Sequence, residues 1–418
     1  MRILILSINY WPEETGIGAF TTYRAEYLSG AGHDVTVCTT FPYYPEWRVA
    51  RGYAGRLAQS EHRNGVRILR SFAYVPNRVT SVKRVAHEAS FVAGSFLRAA
   101  GTRRPDVLLA VSPPLGLAMS AIVLSRMWRV PYVFDVEDLQ PDAAADLGML
   151  PGWALRMMYS VERAAYRHAE MVSTLTHGMR NRIVAKGVPE HRVRLFEPRA
   201  DASLLEIAAA EGESFRRKHG LEGRFLVVHS GNMGVKQGME VILEAADRCR
   251  EEESLEFLLV GDGAAKERLL QRAGELGLKQ VRFLPVLDGA EFRGLLAAAD
   301  VCLVTQRKTV SDIVFPSKTV TYLAAGCAVV ASVNPGSEVA RTIYESGSGV
   351  VVEPEDAAAL KNAILELRAE DLRERRRIAR EYAVNRWSAA RVLGHLEESL
   401  VAAASRTGAA GARQAHEA

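Results

Sequence analysis

Cysteine is scarce in this chain. There are four in 418 residues, Cys38, Cys249, Cys302 and Cys327, and no C-x-x-C pair among them. That spacing excludes a disulfide framework or a zinc ribbon and fits buried thiols in a reducing, cytoplasmic setting. Uninterrupted apolar runs long enough for a membrane-spanning helix, about 18 residues, are missing. The opening MRILILSINYWPEE turns polar too early for a secretory signal and reads as a first β-strand. Several reaction signatures are also missing: G-x-S-x-G, H-E-x-x-H, the Walker A loop and a complete G-x-G-x-x-G. Their absence argues against a serine hydrolase, a zinc hydrolase, an ATPase or kinase and a nicotinamide enzyme. Zinc-finger and RNP-type spacings are lacking, so no nucleic-acid partner is expected. Internal repeats and low-complexity blocks are lacking too.

What is present is the composition of a globular protein, 48% apolar and 24% charged, at a length that suits two domains. The net charge of +4 is uneven: residues 1–200 hold 25 Lys/Arg against 17 Asp/Glu, and residues 201–418 hold 28 against 32. A basic half suits an anionic membrane or a phosphorylated substrate, or is simply a solvated surface. Val/Ile/Leu-rich runs of strand length fall at 3–8, 35–39, 66–70, 107–112, 132–135, 171–176 and 193–196. After a break they resume at 225–230, 256–260, 281–284, 301–305, 328–332 and 349–352. Helical periodicity separates most of them. Continuous apolar strands alternating with helices predict parallel sheets covered on both faces. The fold class is therefore α/β, with two doubly wound Rossmann-like domains facing across a cleft, 1–200 and 201–385. A helix at 386–404 is expected to cross back to the first domain, and 405–418 reads as a disordered tail.

Ligands of such sheets gather beyond the carboxyl ends of the strands, so the candidate residues are sought there. Gly16 and Gly18 follow the first strand and precede a helix. Gly231, Asn232, Gly234 and Lys236 follow the first strand of the second half, in a loop-then-helix setting that suits a polyphosphate. Gly261 and Gly263 end another strand. In FPSKTVTYLAAG, Ser317 is placed to cap a helix and Lys318 lies in its first turn, where the positive helix end disfavours a lysine unless an anion sits beside it. Glu338 follows the strand at 328–332. Asp138, in the acidic stretch 135–142, and His177 stand at strand ends of the first half as carboxylate and imidazole tips, and ligand spacing for a metal is absent. Residues 77–104 form a basic amphipathic segment. Its Arg78, Lys83, Arg84 and Arg98 fit an anionic bilayer or a lipid diphosphate, or one solvated face of a sheet-covering helix.

Taken in order, NYWPEETGIGAF, DVEDLQPDAAADLG, LTHGMRNRIVAKGVP, HSGNMGVKQGMEVILEAA, LLVGDGAAKERL and VFPSKTVTYLAAGCAVVASVNPGSE resemble the retaining GT-B glycosyltransferases of family 4. Within that family they resemble the exopolysaccharide members of the colanic-acid type. The resemblance covers nearly the whole chain. It implies transfer of a sugar from a UDP- or GDP-sugar to a lipid-linked saccharide, with peripheral contact at the cytoplasmic membrane surface and no metal or other cofactor. By the same resemblance, Lys236 and Lys318 grip the diphosphate and the Gly16–Gly18 loop closes over it. Glu338 approaches the sugar or phosphate and Thr321 the ribose; the strand-end tips Asp138 and His177 complete the expected catalytic set. Front-face displacement would retain the anomeric configuration. The family's Glu-x7-Glu falls here on Ile313 and Thr321, with Asp312 as an acidic neighbour. A sugar-nucleotide epimerase and a non-catalytic scaffold derived from a transferase are the alternative outcomes of the same motifs.

Overall fold

The structure, a computed structural model, describes residues 1–14, 16–78, 80–146, 150–309 and 317–416, with the backbone alone for Ser81, Asp146 and 407–416. The chain divides into two compact units, Met1–Glu197 with Leu393–Ala418, and Pro198–Val392.

The first unit is built on β1 (Arg2–Leu6), β2 (Asp34–Thr40), β3 (Ala58–Arg63), β4 (Val66–Ser71), β5 (Val107–Ser112), β6 (Tyr132–Val136), β7 (Met171–Thr174) and β8 (Val193–Leu195). Its helices are α1 (Gly16–Gly30), α2 (Ser81–Ala100), α3 (Leu117–Trp128), α4 (Gln140–Asp146), α5 (Gly152–His168) and α6 (His177–Ala185). The sheet order is β3-β4-β2-β1-β5-β6-β7-β8. All neighbours are parallel except β3 and β4, which form an antiparallel pair at the edge. Every residue of β5 (VLLAVS) and β6 (YVFDV) is buried, as expected of central parallel strands.

The second unit holds α7 (Ala202–Leu205), α8 (Ala209–His219), β9 (Phe225–Ser230), α9 (Glu240–Asp247), β10 (Leu255–Val260), α10 (Lys266–Leu276), β11 (Val281–Leu284) and α11 (Gly289–Ala298). It continues with β12 (Val301–Thr305), α12 (Ser317–Ala324), β13 (Ala328–Ser332), α13 (Glu338–Ser346), β14 (Gly349–Val352), α14 (Ala357–Ala369) and α15 (Arg373–Trp387). Its six strands run parallel in the order β11-β10-β9-β12-β13-β14. Apolar clusters cover both faces, one around Val228, Tyr322 and Trp387 and the other around Val227, Phe257 and Leu360.

Every strand expected from the apolar runs is present. β3 (AQSEHR) is additional: its alternating half-exposed polar residues carry no apolar signal, and its pairing with β4 makes it a strand. Gly16 and Gly18, expected in a loop ahead of the helix, belong to the first turn of α1. The helix expected at 386–404 is α16 (Ala389–His416), separated from α15 by Ser388, whose backbone is extended (ψ 147°). α16 continues through residues that composition suggests as a tail. From Leu393 onward it belongs to the first unit, where Glu397 accepts from Tyr27 Oη (3.3 Å) and pairs with His33 Nε2 (3.0 Å).

Candidate active site

In the second unit the chain runs β9, β10, β11 toward one edge and then restarts at β12 beside β9. The carboxyl ends of β9 and β12 are therefore the switch point where an open α/β sheet leaves a crevice. Lys318, in the first turn of α12, stands at this point. Its Nζ donates to Nε2 of His229, next to last in β9, at 2.9 Å, and lies 3.5 Å from the Asn232 carbonyl. α12 is anchored behind it by the buried Tyr322, whose hydroxyl accepts from Ser230 N at 2.9 Å. Burial pulls the Lys318 ammonium down to about 8. His229 is fully buried; burial first, and the Lys318 charge second, hold its imidazole well below the usual range. A neutral histidine thus accepts from a cation that has little other compensation, and that cation is primed to be stabilised by an anion.

The glycines here serve close packing. Gly231 adopts φ +116°, and a Cβ there would come within 2.9 Å of Lys318 Cε. At Gly261 (φ +135°) a Cβ would sit 2.0 Å from the Gly231 carbonyl oxygen, so the β9 and β10 loops touch backbone to backbone. Their N–H groups are occupied within the loops. Gly231 N donates to Val260 O (2.9 Å), Gly234 N to Gln237 Oε1 (3.1 Å), Gly261 N to Leu284 O (3.1 Å) and Gly263 N to Asp262 Oδ1 (2.8 Å). The protein itself satisfies these four amides, so the lysine side chains and the α12 terminus remain as donors for an anion. Lys236 is exposed in a short 3-10 turn (Val235–Gln237) beyond β9. Arg307, just past β12, braces this turn through N to Lys236 O (3.0 Å) and Nε to Val235 O (2.7 Å).

Ser317 is the first residue of α12, and Thr321 shares the Lys318 face one turn on. Ile313 and Asp312 lie outside the described residues. Glu338 is the first residue of α13, after β13. It is buried and ion-paired with Arg341, and Ser337 caps the helix by accepting from Ala340 N at 3.1 Å.

The first unit has its own switch point, between β1 and β5. Beyond β1 the buried Glu13 accepts from Asn9 Nδ2 (2.7 Å) and from the amides of Tyr43 and Tyr44 (both 2.8 Å). Burial raises its carboxyl even against these three bonds. A Cβ on Gly18 would fall 2.8 Å from the Glu13 carbonyl oxygen, so glycine lets α1 start against this loop. In the acidic stretch, Asp135 and Glu137 turn inward to the fully buried Arg24 (2.6 and 2.7 Å), and Asp142 pairs with Lys186. Asp138 lies two residues beyond β6, with its carbonyl accepting from Gln140 N (3.0 Å). His177 opens α6, which Thr176 caps. Of the basic residues on and before α2, Arg78 and Lys83 are exposed and Arg84 pairs with Glu88 (3.2 Å). Arg98 turns away from solvent: its Nη2 donates to Gln59 O (3.1 Å) and Ser60 Oγ (2.8 Å), clamping α2 to β3.

A glycosyl transferase 4-like domain model matches residues 15–199, and a model of glycosyl transferases group 1 matches residues 224–370. WcaI of Escherichia coli, named for a colanic acid biosynthesis glycosyl transferase, is 34% identical over 392 residues, 92% of this chain and 95% of its own. The chain belongs to glycosyltransferase family 4. WbjE of Pseudomonas aeruginosa, another protein named as a glycosyltransferase, is 28% identical over 65% of this chain and 68% of its own. HepE of Anabaena, solved with UDP, superposes with a TM-score of 0.70 at 19% identity, over 96% of this chain and all of that one (100%). WaaG superposes with a TM-score of 0.65 at 17% identity, over 95% of this chain and 99% of that one. These structural likenesses establish the GT-B fold.

Within this family-4 transferase, sequence reasoning missed His229, Arg307, Glu13 and Arg24. His229 lies in a strand whose neighbours are all apolar or small, where a core histidine and a site histidine look alike. Arg24 carries no local signal, because its partners are 111, 113 and 172 residues away; Glu13 has one local partner, Asn9, and its backbone partners Tyr43 and Tyr44 are 30 and 31 residues away.

Proposed function

We propose that this retaining glycosyltransferase moves a sugar from a UDP- or GDP-sugar to a lipid-linked saccharide, in the biosynthesis of a bacterial cell-surface polysaccharide. The cation at the β9/β12 switch point carries the reading. Lys318 is held by a neutral His229, drawn down to about 8 by burial, and set in the first turn of α12. A nucleotide diphosphate placed there meets an ammonium and a helix N-terminus, with Lys236 on the adjoining loop. As the glycosidic C–O bond breaks, charge grows on the departing diphosphate, and these groups stabilise it. Thr321, Glu338 and the small-residue loops of Gly231, Gly234, Gly261 and Gly263 then form the nucleoside and sugar surroundings. Asp138, His177, Gly16 and Gly18 belong to the acceptor-binding unit. Likeness to WcaI over most of both chains, and the UDP in the HepE structure, support the donor class and the pathway.

An acceptor carried on lipid calls for a membrane-facing surface, and the first unit supplies one. α2 buries His87, Phe91, Ser95 and Ala99 and exposes Val82, Ala86, Ala89, Ala93 and Leu97 on another face. α3, packed between α2 and α5, exposes Met119, Val123 and Met127 at four-residue spacing; α5 exposes Trp153 and Met157. Around them lie Lys83, Arg84, Arg126, Arg156, Arg163 and Arg167. The two acidic residues of these helices are withdrawn: Glu162 is buried, and Glu88 is half-buried against Arg84. Apolar side chains in a basic surround suit an anionic bilayer.

Thermal shift against UDP, GDP and their sugars tests the donor site. One charge-assisted contact is worth about 1.5–3 kcal/mol, so Lys318→Ala should weaken the preferred nucleotide roughly 10- to 150-fold. Unchanged binding would remove Lys318 from the diphosphate site. Transfer itself is read as labelled sugar appearing in lipid extracts of membrane fractions.

A further inference from the structure

At the switch point of the first unit lies a cavity of about 210 Å³, lined among others by Asn9, Tyr43, Trp47, Arg84, His87 and Glu88. None of Asn9, Tyr43, Trp47, His87 or Glu88 stood out in the sequence as a site residue. His87 is 1% exposed. Its Nδ1–H donates to the Tyr74 carbonyl at 2.6 Å, which places the lone pair on Nε2, and Nε2 has no partner. Burial lowers its pKa, so the ring stays neutral and Nε2 stays an acceptor. A buried acceptor without a donor is costly unless a ligand supplies one.

The ring sits in an aromatic wall. Tyr43 is 4.6 Å and Trp47 5.3 Å from it, centroid to centroid, and those two are 5.4 Å apart. Trp47 holds this place in the left-handed region, φ +51°, which a bulky residue adopts only when its surroundings impose it. Glu88 faces the same cavity, its carboxyl raised by burial and bonded to Arg84. An aromatic wall, one hydroxyl-seeking nitrogen and a carboxyl–guanidinium pair are what a pyranose ring recognises: apolar C–H faces with hydroxyls at the edges.

We infer that this cavity binds one hexopyranosyl residue of the acceptor saccharide, stacked on Trp47 and Tyr43 and donating a hydroxyl hydrogen to His87 Nε2. The assignment rests on the transferase reading above. It extends that reading by naming a sugar subsite on a unit distinct from the one that carries Lys318.

The test uses the full chain and ligand-observed saturation-transfer NMR with millimolar methyl glycosides of glucose, galactose, mannose and fucose. At least one glycoside should give a signal, and its affinity should fall roughly tenfold in His87→Ala, the value of one hydrogen bond with its packing. Trp47→Ala, at a half-exposed loop position, should give a comparable loss and stands in if His87→Ala fails to fold. Lys318→Ala should keep the signal. Silence from all four glycosides, or signals undiminished in the Trp47 variant, overturns the inference. Displacement of the glycoside by a UDP-sugar but not by UDP would give the cavity to the donor's sugar and overturn it as well. Nucleotide stabilisation measured on the same samples separates the two readings. UDP or GDP binding without a glycoside signal sinks this inference alone; glycoside binding with no nucleotide binding sinks the donor site alone.

Discussion

In the proposed donor site, Lys318 concentrates the chemistry of the second unit in one side chain. Its ammonium is held at about 8 by burial, and the donor's diphosphate would reverse that cost. The sign of the pH effect follows. Above about 8 the free protein loses the proton while the diphosphate complex keeps it, so binding takes up a proton and weakens as pH rises. The dissociation constant for the preferred nucleotide should climb about tenfold per pH unit in that window. Calorimetry from about pH 7 to about pH 9.5 reads it, and Lys318→Ala should flatten the slope. A wild-type affinity independent of pH would mean that Lys318 does not touch the anion. Lys318 was legible in the sequence, because a lysine at a helix start is a local anomaly. His229, which orients it, was not. It becomes a partner only when β9 and α12 are brought together across 89 residues of chain.

Among elements, the Arg24 cluster organises the first unit. From α1 the guanidinium reaches Asp135 and Glu137 at the end of β6 and the Phe196 carbonyl after β8 (3.0 Å); Ser173 of β7 completes the group by donating to Asp135 (2.8 Å). One buried cation therefore ties a helix to three neighbouring strand ends. Burial pushes the Glu137 carboxyl up, and the Arg24 guanidinium beside it opposes the shift. Arg24→Met would leave Asp135 and Glu137 without their counter-charge, a change that costs about 3–5 kcal/mol in buried pairs. Urea denaturation followed by circular dichroism should show the midpoint falling accordingly, and a loss under about 1 kcal/mol would make the cluster dispensable. The acidic stretch itself was visible in the sequence as a candidate polar tip. That two of its carboxylates serve the core was hidden, since an arginine in the middle of a helix looks solvated until its face is known.

For the whole molecule, the proposed lipid-carried acceptor raises the question of how a chain in which no described helix is long and apolar enough to cross a membrane would reach it. The outer faces of α2, α3 and α5 answer it with exposed apolar side chains, Val82 at 80%, Leu97 at 72% and Trp153 at 63%, among arginines and lysines. The protein should sediment with phosphatidylglycerol vesicles and much less with phosphatidylcholine ones. Each basic contact near an anionic surface adds about 1 kcal/mol, and salt screens it. Val123→Glu with Met127→Glu should cut vesicle binding by about tenfold or more while leaving nucleotide stabilisation intact. Equal binding to both lipids, or none, would remove the membrane face. The basic face of α2 was readable from its spacing alone. The contributions of α3 and α5 were not, because their exposed methionines and tryptophan look like core residues until the sheet determines which side of each helix is covered.

By itself the sequence determined the order of strands and helices apart from β3, two parallel-sheet units, the family, and where local anomalies stand: Lys318 and Ser317 at a helix start and glycines in the loops after strands. Those features depend on periodicity, turn chemistry and helix ends, all written within a few residues. Only the tertiary structure decided what the glycines are for, where the amide donors go, which carboxylates are buried with Arg24, and that His229 and His87 are poised acceptors. Each of those rests on contacts between segments far apart in sequence, and burial, which sets charge state and unmet hydrogen bonds, exists only once the sheets have assembled.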